Sequence, residues 1–228
     1  MLVVTAVTLG SALRGTSQPV VSPAPVGPQS PVPLVAAPPP TPLRLATHGV
    51  VVLYVPIAES RITAIDYHAV ADANVLDLTP SGKLLNAGLL QSLEQQVVGT
   101  DSAAPRYYVT DASTASVDVG ARAGTQVYSP VDGTVVGISP YVINGAAWGV
   151  VLSIAPAADP SVVVRITNLQ PVATLQVGDA VTATQTPTLL GTVADLSPVL
   201  KMDLARYTSD AGNHVHIEVR PAVVLGIP

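Results

Sequence analysis

The chain contains no cysteine and no phenylalanine, a single tryptophan, and only 11 % charged side chains across 228 residues. Without cysteine there is no disulfide framework, no thiolate metal site and no cysteine nucleophile. Basic residues are equally scarce. Ten Lys and Arg stand against 15 Asp and Glu, for a net charge of −5. No Lys/Arg-rich run occurs, so the footprint that phosphate backbones require is missing and nucleic acid is excluded as a partner. No Ser sits in a Gly-x-Ser-x-Gly turn, and no Gly-x-x-x-x-Gly-Lys-Ser/Thr loop is present. What remains is Val, Ala, Thr, Gly and Pro, with a mean hydropathy of +0.48. That is the vocabulary of short strands and turns, and the expected class is mainly β.

The first residues differ from the rest. Met1–Leu13 (MLVVTAVTLGSAL) is apolar apart from small polar residues. It is shorter than the roughly 20 residues needed to span a bilayer. Its length suits the apolar part of a signal peptide, although no basic stretch precedes it. Residues 1–14 are therefore read as a signal or membrane-anchor remnant. Residues 15–44 are read as a linker, because Gln18–Pro42 carries ten of the 22 prolines. Such a segment lacks the N–H donors for sheet or helix and is expected to be an extended spacer. An apolar head followed by a spacer suggests an extracytoplasmic protein, secreted or anchored at the cell envelope, that meets the membrane only through this head.

Two regions lie beyond the spacer. Residues 45–105 read as a small α+β region of unassigned role. Val50–Ile57 and Ile62–His68 have strand character. Leu85, Leu89, Leu93 and Val97 recur every four residues and predict a helix over Leu84–Val98. Asp66 and His68 share a strand face, but a lone His there reads as a hydrogen-bonded structural residue. Residues 106–221 are punctuated as a β-domain. Strands are expected at Gln126–Ser129, Thr134–Ile138, Trp148–Ile154, Val162–Thr167, Leu189–Val193 and His214–Val219, broken by Pro130–Gly133, Pro156–Pro160 and Val177-Gly178-Asp179.

The most informative stretch is His214-Val215-His216-Ile217-Glu218-Val219, which holds two of the four histidines. In a strand, alternate side chains share a face. His214, His216 and Glu218 thus lie on one side, with Val215, Ile217 and Val219 on the other. The imidazoles are spaced by roughly 7 Å of strand rise. At that spacing one can hold a metal while its neighbour reaches water or substrate. Glu218 is expected to be a solvated or strand-pairing carboxylate.

The order VYSPVDGTVVGI, WGVVLSI, VRITNL, LQVGDAV, LLGTV and HVHIEV resembles the lysostaphin- and LytM-type zinc metallopeptidases over residues 106–221. These are murein endopeptidases with a duplicated hybrid β-motif, so the resemblance implies a β-sandwich or barrel-like domain. It also implies metal ligands in a His-x-x-x-Asp motif and at the second His of His-x-His. The first His of that pair, and another just before a Leu at a strand end, assist the water and the developing oxyanion. By this resemblance Asp118 and His216 match metal ligands and His214 matches a catalytic histidine. Thr114 replaces the first ligand and Asn168 replaces the other catalytic histidine.

Thr is a poor zinc ligand, and Asn donates a hydrogen bond but carries no proton between partners. With Asp118 and His216 alone the site is incomplete, a zinc ion is expected to be absent rather than present, and His214 is expected to be vestigial. Nothing in the sequence brings His48 or His68 to the site. Three readings remain. The leading one is a non-catalytic, regulatory or binding module for peptidoglycan peptides or a cell-envelope protein. The second is an active zinc-dependent peptidoglycan endopeptidase with atypical ligands. The third is a lipoyl- or biotinyl-carrier-like module using Lys201. Deletion of Met1–Pro42 is expected to leave a soluble, folded remainder. Aggregation of that shortened chain would count against the spacer reading.

Overall fold

The computed structural model describes residues 38–86 and 104–225. The apolar head, most of the proline-rich spacer and all but the first three residues of the expected helix lie outside them. Among the described residues the chain is mainly β, with short 3-10 turns and no α-helix.

Among the described residues fourteen strands are formed. The first five are β1 (Arg44–His48), β2 (Val51–Tyr54), β3 (Ile65–His68), β4 (Thr79–Pro80) and β5 (Lys83–Leu84). Then come β6 (Arg106–Val109), β7 (Ser116–Gly120), β8 (Gln126–Tyr128), β9 (Gly133–Ile143) and β10 (Ala146–Pro156). The last four are β11 (Val162–Pro171), β12 (Ala180–Val181), β13 (Leu189–Val193) and β14 (His214–Pro221). A small sheet has the order β2-β1-β4. The large sheet runs β12-β9-β10-β11-β14-β7-β3-β6-β5, and β13 joins β11 to β8. It does not close into a barrel.

Two features differ from the sequence expectation. Residues 45–86 do not form a region separate from the later strands, because β3 is hydrogen-bonded to β7 on one side and β6 on the other. Ile65 and Tyr67 complete the apolar face that β7 begins, and both are buried. The second feature is the length of the β9–β10 hairpin, eleven residues in each strand. Its tip is Asn144-Gly145, both with positive φ (51° and 82°). That pair is a strong hairpin signal, since both central residues of a type I′ turn require the left-handed region.

The core follows from strand alternation. Val117 and Val119 of β7, Val215, Ile217 and Val219 of β14, and Val164 and Ile166 of β11 all point to one side and are fully buried. Leu45, Leu53 and Ile57 pack there as well, and the Tyr67 hydroxyl donates to the Leu45 carbonyl at 2.7 Å. The opposite face of these strands carries the polar residues, so one register places both the core and the candidate site. Ile217→Ala should cost about 3 kcal/mol, from lost burial plus a cavity beneath β14. Chemical denaturation measures this, and a loss well under 1 kcal/mol would mean the layer is not close-packed.

Candidate metal centre

Four neighbouring strands bring the polar residues together. In register, Asp66 of β3 lies opposite Asp118 of β7, Asp118 opposite His216 of β14, and His216 opposite Thr167 of β11. One step along, His68 lies opposite Ser116, which lies opposite Glu218. Directly paired residues share a sheet face, so these side chains form one polar patch. His68, Asp118 and His216 have ligand-capable atoms all within 4.8 Å of one another.

Asp118 is the hub and is 7 % exposed. Its Oδ1 meets His216 Nδ1 at 2.8 Å, while Oδ2 meets His68 Nε2 at 3.2 Å and His214 Nε2 at 3.3 Å. The far nitrogens of these rings are also engaged. His68 Nδ1 lies 2.8 Å from the Ala69 carbonyl, and His214 Nδ1 lies 2.9 Å from the Gly212 carbonyl. A carbonyl only accepts, so both Nδ1 atoms carry hydrogen and both Nε2 atoms are the ones turned to Asp118. His216 Nε2 faces Glu218 Oε2 at 3.8 Å. Its Nδ1 is thereby the atom presented to the cluster.

The charges respond accordingly. Burial alone would raise the Asp118 carboxyl, but the charge of His214 and hydrogen bonds from His216 and His68 hold it far below the usual carboxylate range. Burial works against a charged His216, yet the hydrogen bond to Asp118 and the nearby Glu218 carboxylate outweigh it and lift this imidazole to about 9. The hydrogen bond to Asp118 raises His68 against the opposing effect of burial. Asp66 is raised instead, mainly by burial, and accepts from the Thr110 hydroxyl.

Of the two expectations for Glu218, solvated or strand-pairing, the structure shows the second: it pairs across β11–β14 with Arg165. It is 3 % exposed and bonded to two arginines. Arg165 Nη1 reaches Oε1 at 3.0 Å, Arg220 Nε reaches the same oxygen at 2.7 Å, and Arg220 Nη1 continues to Asp72 at 2.6 Å. A carboxylate behind the outer nitrogen of a ligating histidine fixes its tautomer and orientation. Glu218 holds that place for His216.

The donor set suits zinc. Two imidazoles with their outer nitrogens held and one ionised carboxylate are donors of the kind and number that an open tetrahedral zinc site uses. Asp118, His216 and His214, which the resemblance singles out, lie together. Thr114 is not part of the cluster: it precedes β7, and its carbonyl accepts from Leu78 N–H. His68, which the sequence did not position, lies in the cluster instead. The one local signal was the shared face of Asp66 and His68, since the β3–β7 pairing has no signature of its own. His48 is elsewhere, against the Asp77 carbonyl.

The cluster opens into a groove of about 280 Å³ whose walls include Tyr141, Thr167, Asn168 and Lys201. Lys201 lies in the segment between β13 and β14, not on a hairpin turn.

No protein-family profile matches the chain, and no curated protein matches it. Among solved structures it is similar to the SpoIIQ–SpoIIIAH pore-forming complex, at 18 % identity and TM-score 0.38, over 76 % of this chain and 85 % of that one. It is also similar to lysostaphin (16 %, TM-score 0.32, 46 % of this chain, 35 % of that one). A third similar structure is Helicobacter pylori Csd3, at 20 % and TM-score 0.31, over 46 % of this chain. The match spans 23 % of the Csd3 chain and 35 % of the lysostaphin chain.

The Glu218 network makes a pH prediction. Burial would raise this carboxyl, but the neighbouring His216 and hydrogen bonds from Arg220 prevail and bring it from 4.5 to about 2. A depressed folded value stabilises the fold fully above 4.5, and that contribution is lost as pH falls toward the folded value. Glu218→Gln should cost about 3 kcal/mol at neutral pH, because it removes the main partner of the buried Arg220 guanidinium and of the half-buried Arg165. Its melting temperature should also fall less steeply than wild type across the acid range. Parallel acid slopes for the two proteins would refute the assignment.

Proposed function

We propose that this chain is a cell-envelope module of the lysostaphin/LytM type that hydrolyses peptide bonds in peptidoglycan with a zinc ion held by His68, Asp118 and His216. The observation that carries this reading is the convergence of those three residues within 4.8 Å. The reading as a non-catalytic module rested on a missing third ligand, and His68 supplies a candidate for it. Zinc, when bound, supplies a Lewis acid that lowers the pKa of water and polarises a carbonyl oxygen.

The chain's own residues account for the rest. Asp118 and His216 are preorganised by the paired strands, and Glu218 keeps His216 from rotating. His214 presents Nε2 beside Asp118 with its other nitrogen fixed on the Gly212 carbonyl. That geometry suits a general base. As the water oxygen bonds to the carbonyl carbon, its proton passes to His214 Nε2. When the C–N bond breaks, the same proton moves to the departing amine. Tyr141 and Lys201 line the groove beside this point. Among the described residues no helix is long and apolar enough to cross a membrane. Attachment to the envelope, in this reading, belongs to the N-terminal segment.

The test is zinc content and affinity of the full chain, followed by release of free amines from purified murein sacculi. Wild type should hold about one zinc per chain. His68→Ala and Asp118→Ala should lose it, while Thr114→Ala should keep it. His214→Ala should retain zinc but lose at least about 100-fold in turnover. Sacculus binding with neither zinc nor release would return the protein to a binding role.

A further inference from the structure

We propose that Asp72 is a positioning residue of the metal centre: its ion pair with Arg220 is a clasp that fixes His68 and His216 relative to each other. This rests on the metal-dependent reading above and concerns how the site holds its ion, not the reaction itself.

The need for a clasp comes from the sheet. β3 and β14 both pair with β7 and not with each other, so His68 and His216 share no ladder. His216 sits inside β14 with a paired strand on either side. His68 is the last residue of β3. Beyond it the chain leaves the sheets until Thr79, apart from a single bridge between Leu76 and Val219. Ala69, whose carbonyl holds the His68 ring, is the first residue of this departing segment. The path of the segment therefore decides where the ring stands.

That path leads to β14. Asp72 Oδ2 meets Arg220 Nη1 at 2.6 Å, and Leu76 N–H donates to the Val219 carbonyl at 2.9 Å. The rest of the Arg220 fork lies on Glu218, with Nε at 2.7 Å from Oε1 and Nη2 at 3.2 Å from Oε2. One guanidinium thus joins the segment that carries Ala69 to the carboxylate that stands behind His216. Asp72 is itself prepared for this. Its Oδ1 accepts from the backbone and side-chain N–H groups of Asn74, each at 3.0 Å, which leaves Oδ2 for Arg220. A planar fork held on two carboxylates fixes their separation as a single ammonium would not. Groups behind ligating histidines set metal affinity, and the Asp72–Arg220 pair connects the two supports.

The competing account is a strut that only stabilises the fold. The Asp72 side chain is 38 % exposed, and ion pairs at such exposure add little stability, so its loss should leave the fold intact and loosen the site. Asp72→Asn separates the two accounts. It keeps the turn to Asn74, which an Asn oxygen serves as well, and removes the charge that Arg220 meets. Asp72→Glu keeps the charge. Asp159→Asn removes a carboxylate from the loop between β10 and β11 and controls for net charge. On the full chain, melting temperature is measured in chelator, then zinc affinity, then the visible bands of the cobalt(II)-loaded protein, which report ligand geometry.

Metal-free Asp72→Asn should melt close to wild type, bind zinc about 10-fold more weakly and show altered cobalt bands. Asp72→Glu should return affinity to within about 3-fold of wild type, and Asp159→Asn should leave it unchanged. Wild-type zinc affinity in Asp72→Asn would overturn the clasp, as would no recovery in Asp72→Glu. An equal loss in Asp159→Asn would reduce the effect to net charge and overturn it too. A metal-free melting temperature far below wild type in Asp72→Asn would make the pair a strut of the fold. A wild type that takes up no zinc would overturn the metal-dependent reading itself, and the clasp with it.

Discussion

Antiparallel pairing of β7 with β14 sets Asp118 directly opposite His216, and the rest of the site is built outward from that contact. Because the pairing period is two residues, the same register that joins these side chains sends Val117, Val119, Val215 and Ile217 into the core. A slip of one residue would expose the core and bury the charges together. The apolar face thus guards the geometry of the polar one. β3 adds His68 on the outer side of β7, and β11 adds Thr167 and Asn168 on the outer side of β14. Each contributes core residues to one face and site residues to the other.

The polar face is electrostatically dense for a chain with so few charges. Asp118, Glu218 and Arg220 are nearly inaccessible to solvent, and each meets partners of opposite charge or with a hydrogen to donate. A buried ion network is not what a strand needs for stability, since apolar replacements of similar volume often do as well. What it provides is orientation. Glu218, clamped by Arg165 and Arg220, stands behind His216, and Ala69 and Gly212 carbonyls stand behind His68 and His214. Every imidazole in the cluster has one nitrogen occupied by the scaffold and the other turned to Asp118.

Much of this was legible in the chain. The strands at Leu189–Val193 and His214–Val219 stand out by alternation between Gly and Pro punctuation, and the first is matched residue for residue. The family resemblance points to Asp118, His214 and His216 together, with Thr114 and Asn168. Alternation alone predicts shorter strands than β9 and β10, which the Asn144-Gly145 turn lets run to the hairpin tip, and for Glu218 it leaves solvent and a cross-strand partner as alternatives, because one strand reveals which residues share a face but not what covers that face. The two arginines that cover it come from β14 itself and from β11, fifty-three residues away from Glu218.

The sequence by itself determined which residues alternate toward a core, where turns interrupt them, and that two histidines stand on one strand face, because these depend on periods of two along a single segment. Tertiary structure alone decided that His68 completes the cluster and that Asn168 turns into the groove. The first depends on β3 choosing β7 as its neighbour across some fifty residues of chain. The second depends on a register shift between β10 and β11, which exists only when those strands are paired. Neither pairing has a local signature, because strand partners are selected by the fit of whole faces and not by the residues that end up doing the chemistry.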